Sequence, residues 1–473
     1  METLQRTANR GSVSSALYSV ANSVKLDKGN DTTTVEFFER TVSSAGSRTI
    51  GTFSAWIKKT DVTTAQYLFT FGNTDNDNGR TFARFQTDGT LRIGGGQTTW
   101  RNTNRVFRDT SAWYHIVIAF DTTQSTANDR FKLYVNGVQE TSFSTTNNPS
   151  EDDLLGLNFE KQAIGYNTID NGSGFNGYMC EVVIQDGVAS APTEFGEFDS
   201  ASGIWIPKDA SGATMGTNGT YLKFENAASM GAATAGNAFT VQNINQNDQS
   251  VDTCTNNFST FNPLFKVNNQ PTFSQGNTVV TGGGGTFNQA YGTIGVSSGK
   301  WYWEINIANA SDTGYYGFSS SPAEGAYTVN QQFMYNTSFV IGAASGIDYY
   351  IWSGDSQTSN ESTGWGNLST NDIIGIAVDL DASTRTATFY RNGVALSGTT
   401  GNPVNIPTNM QTGFIMPLVV QYENTDDEYN LGGYTTHVIS SAATDENGFG
   451  NFEIAPPSGY YAICTENLAL YGG

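Results

Sequence analysis

The chain has 473 residues, more than one ordinary core holds, since domains usually run to about 100–200 residues. Only 14% of residues are charged, and 44 acids against 23 bases leave a formal charge of −21, which repels phosphate backbones and anionic membrane surfaces. Nucleic acid and membrane are therefore excluded as expected partners, and no stretch approaches the roughly 18 apolar residues of a membrane span.

The opening residues lack an apolar core of signal-peptide length, so synthesis in a cytosol is expected. Residues 1–20 read as a polar arm carrying Arg6 and Arg10, either anchored on a neighbouring subunit or folded along its own sandwich. Beyond it, short runs of period-two alternation bounded by Gly, Asn, Asp and Ser recur along most of the chain, and helical periodicity is scarce. In WYHIVIAF (Trp113 to Phe120), Tyr114, Ile116, Ile118 and Phe120 share one face, opposite Trp113, His115, Val117 and Ala119. FKLYVNGVQ (Phe131 to Gln139) then sets Asn136-Gly137 between strand formers, the signature of a type I′ hairpin. From about Ser200 to Asn262 the pattern weakens into Ala, Gly, Thr and polar residues, which reads as a connector to which YLKF (Tyr221 to Phe224) adds at most one strand. WYWEINI (Trp301 to Ile307) resumes the alternation, and TATFYRNGVAL (Thr386 to Leu396) repeats the hairpin at Asn392-Gly393. Each Asn-Gly hairpin follows an apolar strand ending in Asp, so one structural idea occurs twice. The expected fold is all-β, with two related β-sandwiches in tandem: 1–20 arm, 21–200 first sandwich, 201–265 irregular connector, 266–473 second sandwich.

Catalytic signatures are sparse. Glycan hydrolysis needs two carboxylates on one strand face, and the nearest approach, FGEFD (Phe195 to Asp199), has only Glu197 and Asp199 at that spacing. Two histidines, His115 and His437, leave little for a Ser-His-Asp constellation or a zinc site. Cys180, Cys254 and Cys464 lie far apart and read as buried reduced thiols. No cofactor is expected. Calcium is the one metal to weigh, with Asp75 and Asp77 of NTDNDNG as candidate ligands, although EF-hand spacing is missed and a solvated turn is the reading the spacing favours. Glycan recognition would use loop aromatics: Trp100, Tyr166, Tyr349, Tyr350, Trp352 and Trp365 lie in polar, Gly-rich surroundings, where half-buried packing is the alternative. Trp352 and Trp365 flank the polar run SGDSQTSNESTG (Ser353 to Gly364), expected as a partner-binding loop.

FSAWIKK (Phe53 to Lys59), WYHIVIAFD, FKLYVNGVQ and FNGYMCEVVIQDGV (Phe175 to Val188), in that order, resemble the laminin G-like, concanavalin A-like family. Cys180 stands where the family often has an Asp before Glu181, so no role is carried over to that position. GKWYWEINI (Gly299 to Ile307), GYYGFSS (Gly314 to Ser320), DIIGIAVDL (Asp372 to Leu380), TATFYRNGVAL and GFIMPLVV (Gly413 to Val420) resemble SPRY domains. The resemblance implies two concanavalin A-like jelly rolls, the second binding protein or peptide partners through loops at one end. EFGEFDSASGIWIPK (Glu194 to Lys208), GTNGTYLKFENAASMG (Gly216 to Gly231) and QSVDTCTNNFSTFNPL (Gln249 to Leu264) are similar to segments of tail-associated structural proteins of tailed bacteriophages. This implies a non-enzymatic virion protein that docks on other virion subunits, assembles as a homo-trimer or hexamer, and recognises a host-surface glycan. A capsid decoration or head-fibre protein is the second reading, and a tail-borne glycan hydrolase the third.

Overall fold

The computed structural model describes residues 18–472 except 30–32, 45, 73–78, 168, 170–172, 266–270, 284–286, 312–313, 321–337, 343–346, 354–355 and 423–425; at 349–353 and 356–362 it describes the backbone alone. The chain divides into two compact units at Thr255/Asn256. Each is built on two large, almost wholly antiparallel sheets. Among the described residues no helix is long and apolar enough to cross a membrane.

In the first unit, the alternation of Trp113–Asp121 places Tyr114, Ile116, Ile118 and Phe120 in the core, beside Phe53, Ala55 and Ile57 of Ile50–Lys59 and Met179 of Gly177–Asp186. These strands belong to a nine-stranded sheet ordered Val138–Gln139, Phe131–Val135, Trp113–Asp121, Ile50–Lys59, Gly177–Asp186, Ser23–Leu26, Gln249–Ser250, with Thr220–Leu222 added on Gly177–Asp186 and Ala235–Gly236 on Thr220–Leu222. Facing it across the core is an eight-stranded sheet ordered Phe143–Thr146, Thr98–Val106, Thr90–Gly95, Arg80–Phe85, Gln66–Gly72, Lys161–Ile164, Phe37–Thr41, Thr240–Gln242. It contributes Phe69, Phe71, Phe85, Leu91 and Ile93 to the same core.

The stretch expected as a connector folds as part of this unit. Thr220–Leu222, Thr240–Gln242 and Gln249–Ser250 extend the two sheets. Phe195, Ala210, Met215 and Tyr221 pack on Val117 and Val183, so the outward face of the nine-stranded sheet is covered as well. Alternation alone assigns that face to solvent, but every side chain from Trp113 to Phe120 is buried. Charge ties the cover down. Lys25, fully buried, holds Glu36 at 2.8 Å and Asp248 at 2.9 Å. Lys58 holds Asp252 at 2.7 Å, whose other carboxylate oxygen accepts from the Trp113 indole N–H at 3.2 Å. A bulge in Gly177–Asp186 gives Glu181 a φ of +52° and turns its carboxylate onto the hydroxyls of Tyr18 and Tyr221.

His115 lies between the rings of Trp56 and Trp205, with centroids at 4.8 and 5.9 Å. The Trp205 Nε1–H donates to His115 Nδ1 at 2.9 Å, which makes Nδ1 the acceptor and leaves Nε2–H to donate to Ser54 Oγ at 2.8 Å. Burial pushes the imidazole pKa down to about 3.

The second unit pairs a nine-stranded sheet centred on Lys300–Asn306 and Ile373–Asp379 with a six-stranded sheet ordered Asn288–Tyr291, Met416–Gln421, Gly314–Ser319, Ser338–Gly342, Asp348–Ser353, Ser356–Ser362. Trp301, Trp303, Ile305, Ile374, Ile376 and Val378 meet Phe318, Phe339 and Val419 in its core. The expected polar loop after Trp352 is largely an edge strand, Ser356–Ser362, because its Ser, Thr and Asn backbone groups pair with Asp348–Ser353 as readily as apolar ones would.

The repeated hairpin is repeated in atomic detail. Asn136 and Asn392 have φ of +49°, and the glycines after them +77° and +79°, the signs a type I′ turn needs. Each asparagine also clamps the strand before it. Asn136 Oδ1 accepts from the His115 N–H at 2.8 Å while its own N–H donates to the His115 carbonyl at 2.9 Å; Asn392 does the same to Ile373, both at 2.8 Å.

The His115 environment sets a sign for acid sensitivity. An unfolded histidine takes a proton near pH 6.5, and the folded one resists it to about 3, so its contribution is present above 6.5 and is lost as pH falls below that value. Denaturant titrations at pH 6.5 and 5 should show wild type losing about 2 kcal/mol more than His115→Gln over that interval. Equal losses would mean that this imidazole is protonated in the folded state.

Candidate functional site

The outward face of the eight-stranded sheet is built differently. It gathers three arginines, Arg80, Arg84 and Arg92, while the strands of this sheet supply a single acid, Glu39, in a chain whose acids otherwise outnumber its bases. Arg80, Phe82 and Arg84 alternate along Arg80–Phe85 and so share one side of it, opposite Ala83 and Phe85 in the core. The register sets Arg84 opposite Tyr67 on one neighbouring strand and opposite Arg92 on the other, with Phe82 opposite Gly94. A side chain at Gly94 would meet the Thr98 carbonyl at 2.1 Å and the Phe82 ring at 3.0 Å, so glycine makes room for the ring to lie across the sheet.

Phe82 and Tyr67 are each only 3% exposed although neither belongs to the sandwich core. Guanidinium groups cover them: Arg80 lies 4.7 Å, Arg92 5.7 Å and Arg84 6.0 Å from the Phe82 centroid, and Arg84 5.5 Å from that of Tyr67. The Tyr67 hydroxyl accepts from Arg80 at 2.9 Å and Arg84 at 3.0 Å. Burial, followed by the charges of Arg84 and Arg80, holds the Arg92 pKa below its usual value. Like charges directly opposite on paired strands cost up to about 1 kcal/mol. Each cation over a ring returns about 0.5–1 kcal/mol. The result is a cluster of three guanidinium groups over two rings, with Arg84 and Arg92 half-buried and Arg80 buried. Such a cluster can hydrogen-bond oxyanions and clustered hydroxyls.

Other expected site residues lie elsewhere. Trp100 is a core side chain, 4% exposed and edge-on to Phe120, and Trp365 is 3% exposed in the second core, tilted against Phe389 with its indole N–H on the Thr400 carbonyl. Both were expected in loops because their neighbours are polar; Trp100 instead lies on Thr98–Val106 with its ring in the core, and Trp365 does lie between strands but tucks its ring into the second core. Tyr166 is buried against Phe37, ring centroids 4.5 Å apart. Tyr349, Tyr350 and Trp352 lie on Asp348–Ser353, and their side chains fall outside the described residues, as do Arg6, Arg10, Asp75 and Asp77 entirely. Among the described residues no group of three or more His, Cys, Asp or Glu is placed to hold a metal ion. The Arg-x-Phe-x-Arg alternation at 80–84 was visible in the sequence, but its pairing with Tyr67 and Arg92 depends on register.

Residues 11–193 match the concanavalin A-like lectin/glucanases superfamily. The first unit thus carries a concanavalin A-like, laminin G-like domain. A search of curated proteins finds no match. Similar solved structures include domains LG4-5 of the mouse laminin α1 chain, 9% identical, covering 96% of this chain and 89% of that one at a TM-score of 0.30. The SPRY domain of human HERC1 is 19% identical, covering 38% of this chain and 99% of its own at 0.24. A putative carbohydrate-binding protein from Bacteroides ovatus is 16% identical, covering 44% and 53% at 0.30.

The Tyr67 hydroxyl is the acceptor that gathers two of the guanidinium groups. Tyr67→Phe should cost about 1–2 kcal/mol in chemical denaturation, because it leaves donors on Arg80 and Arg84 unmatched. A change within about 0.5 kcal/mol would show that the rings alone order the cluster.

Proposed function

We propose that the protein is a non-enzymatic recognition protein of a virus particle, holding a host-surface saccharide on the outward face of the eight-stranded sheet. The observation that carries this reading is the composition of that face, where arginines are stacked on aromatic rings and the strands supply one carboxylate, Glu39. Glycoside hydrolysis in its usual form needs two carboxyl groups about 5–9.5 Å apart across the sugar. A sheet with one acid favours holding over cutting. The superfamily matched by residues 11–193 takes in both lectins and glucanases, and the missing second acid inclines this chain to the former. The virion setting is supported by the phage-like segments between and around the sandwiches. In that setting the second sandwich would dock on other virion subunits, in a homo-trimer or hexamer.

Incubating the purified chain with surface polysaccharide of the host bacterium should retain the polymer and leave its length unchanged. Progressive shortening would replace binding with hydrolysis. Mass spectrometry of purified particles tests the setting separately, since a chain missing from washed virions does not belong to them.

A further inference from the structure

We propose that the ligand of this face is an acidic polysaccharide, with its carboxylate or sulfate groups seated at the paired guanidinium groups of Arg84 and Arg92. This rests on the saccharide-recognition reading above and adds the charge of the ligand. Three observations lead to it. First, the register holds two guanidinium groups directly opposite one another, a repulsive arrangement that an anion shared between them would relieve. Second, both are left with donors to spare. Among the described residues Arg84 spends one N–H on Tyr67 and Arg92 makes no hydrogen bond, and the Nε atoms of both are buried without an acceptor. Third, no described carboxylate forms an ion pair with either one, although the chain holds 44 acids.

The chemistry of the cluster selects the kind of anion. Arg84 and Arg92 lie over Phe82, 6.0 and 5.7 Å from its centroid, and the planar fork of donors on a guanidinium suits carboxylate or sulfate oxygens better than a diffuse charge. The two rings are covered by the arginines and offer no open surface on which nucleobases could stack. Hydroxyls of neighbouring sugar units can take the spare N–H groups that an isolated oxyanion would leave over.

The test uses the full chain with three polymers: polygalacturonate for carboxylate, dextran sulfate for sulfate, and dextran as the neutral arm, with duplex DNA as a competitor. At least one acidic polymer should bind, weaken as salt rises, and lose about tenfold or more in affinity in Arg84→Gln and in Arg92→Gln. Lys208→Gln, an exposed cation on the segment covering the other sheet, should leave binding unchanged. Should the Gln variants fail to fold, Arg84→Lys and Arg92→Lys keep the charge but lose the planar fork, and the salt dependence of wild type needs no variant. Dextran bound as tightly as the acidic polymers and insensitive to salt would overturn the charge of the ligand and leave saccharide recognition standing. So would DNA competing as well as either acidic polymer. Retention of none of the three polymers would remove both.

Discussion

Two lysines on the outward face of the nine-stranded sheet determine how the first unit closes. Lys25 and Lys58 are fully buried, and a buried ammonium costs several kcal/mol unless a counter-ion comes with it. Glu36 meets Lys25 locally, but its second acid, Asp248, and the acid of Lys58, Asp252, arrive some two hundred residues later in the chain. The polypeptide therefore has to return across this face before the unit is complete. On the way it places Trp205 over His115 and Tyr221 over Val117 and Val183. A stretch without hydrophobic periodicity of its own is thus fastened by ion pairs, indole contacts and two- or three-residue strands.

That closure makes the two outward faces of the sandwich unequal. One is sealed by the chain, with its titratable groups paired or, at His115, held neutral. Among the described residues the other has no such layer over Phe82, and its own arginines shield the ring. Shielding by charged groups leaves guanidinium donors at the sheet itself, whereas sealing by chain buries the sheet's own side chains. The same physical need, to keep aromatic rings out of water, thus produces a structural surface on one side and a surface fit for a ligand on the other.

The parts of the fold that were legible in the sequence are those governed by local rules. Period-two alternation placed Ile116 and Trp303 in their cores, and Asn-Gly located both hairpins, because the turn and the pleat impose their pattern on adjacent residues. The parts that were not legible depend on long-range register. Arg92 joins Arg84 only through strand pairing, and the strands from Thr220 to Ser250 are too short to show a period. Trp100 misled for a related reason: polar neighbours suggest a loop, yet on a strand side chains alternate between faces whatever their neighbours are, whereas Trp365 does lie between strands and is buried by folding back on Phe389. The side-chain clamp made by Asn136 and Asn392 adds a second reason, beyond turn geometry, for asparagine at those two positions.

The ion pairs also say where the first sandwich can be divided from the rest. The superfamily match ends at residue 193, but the counter-ions of two buried lysines lie at 248 and 252. A fragment cut at the family boundary would keep its sheets' central strands but take Asp252 from Lys58 and Asp248 from Lys25, leaving Lys25 with Glu36, and would deprive the Trp113 indole N–H of its acceptor. The autonomous piece of this protein is therefore longer than its recognisable ancestry by about sixty residues, and that excess is what neutralises it inside.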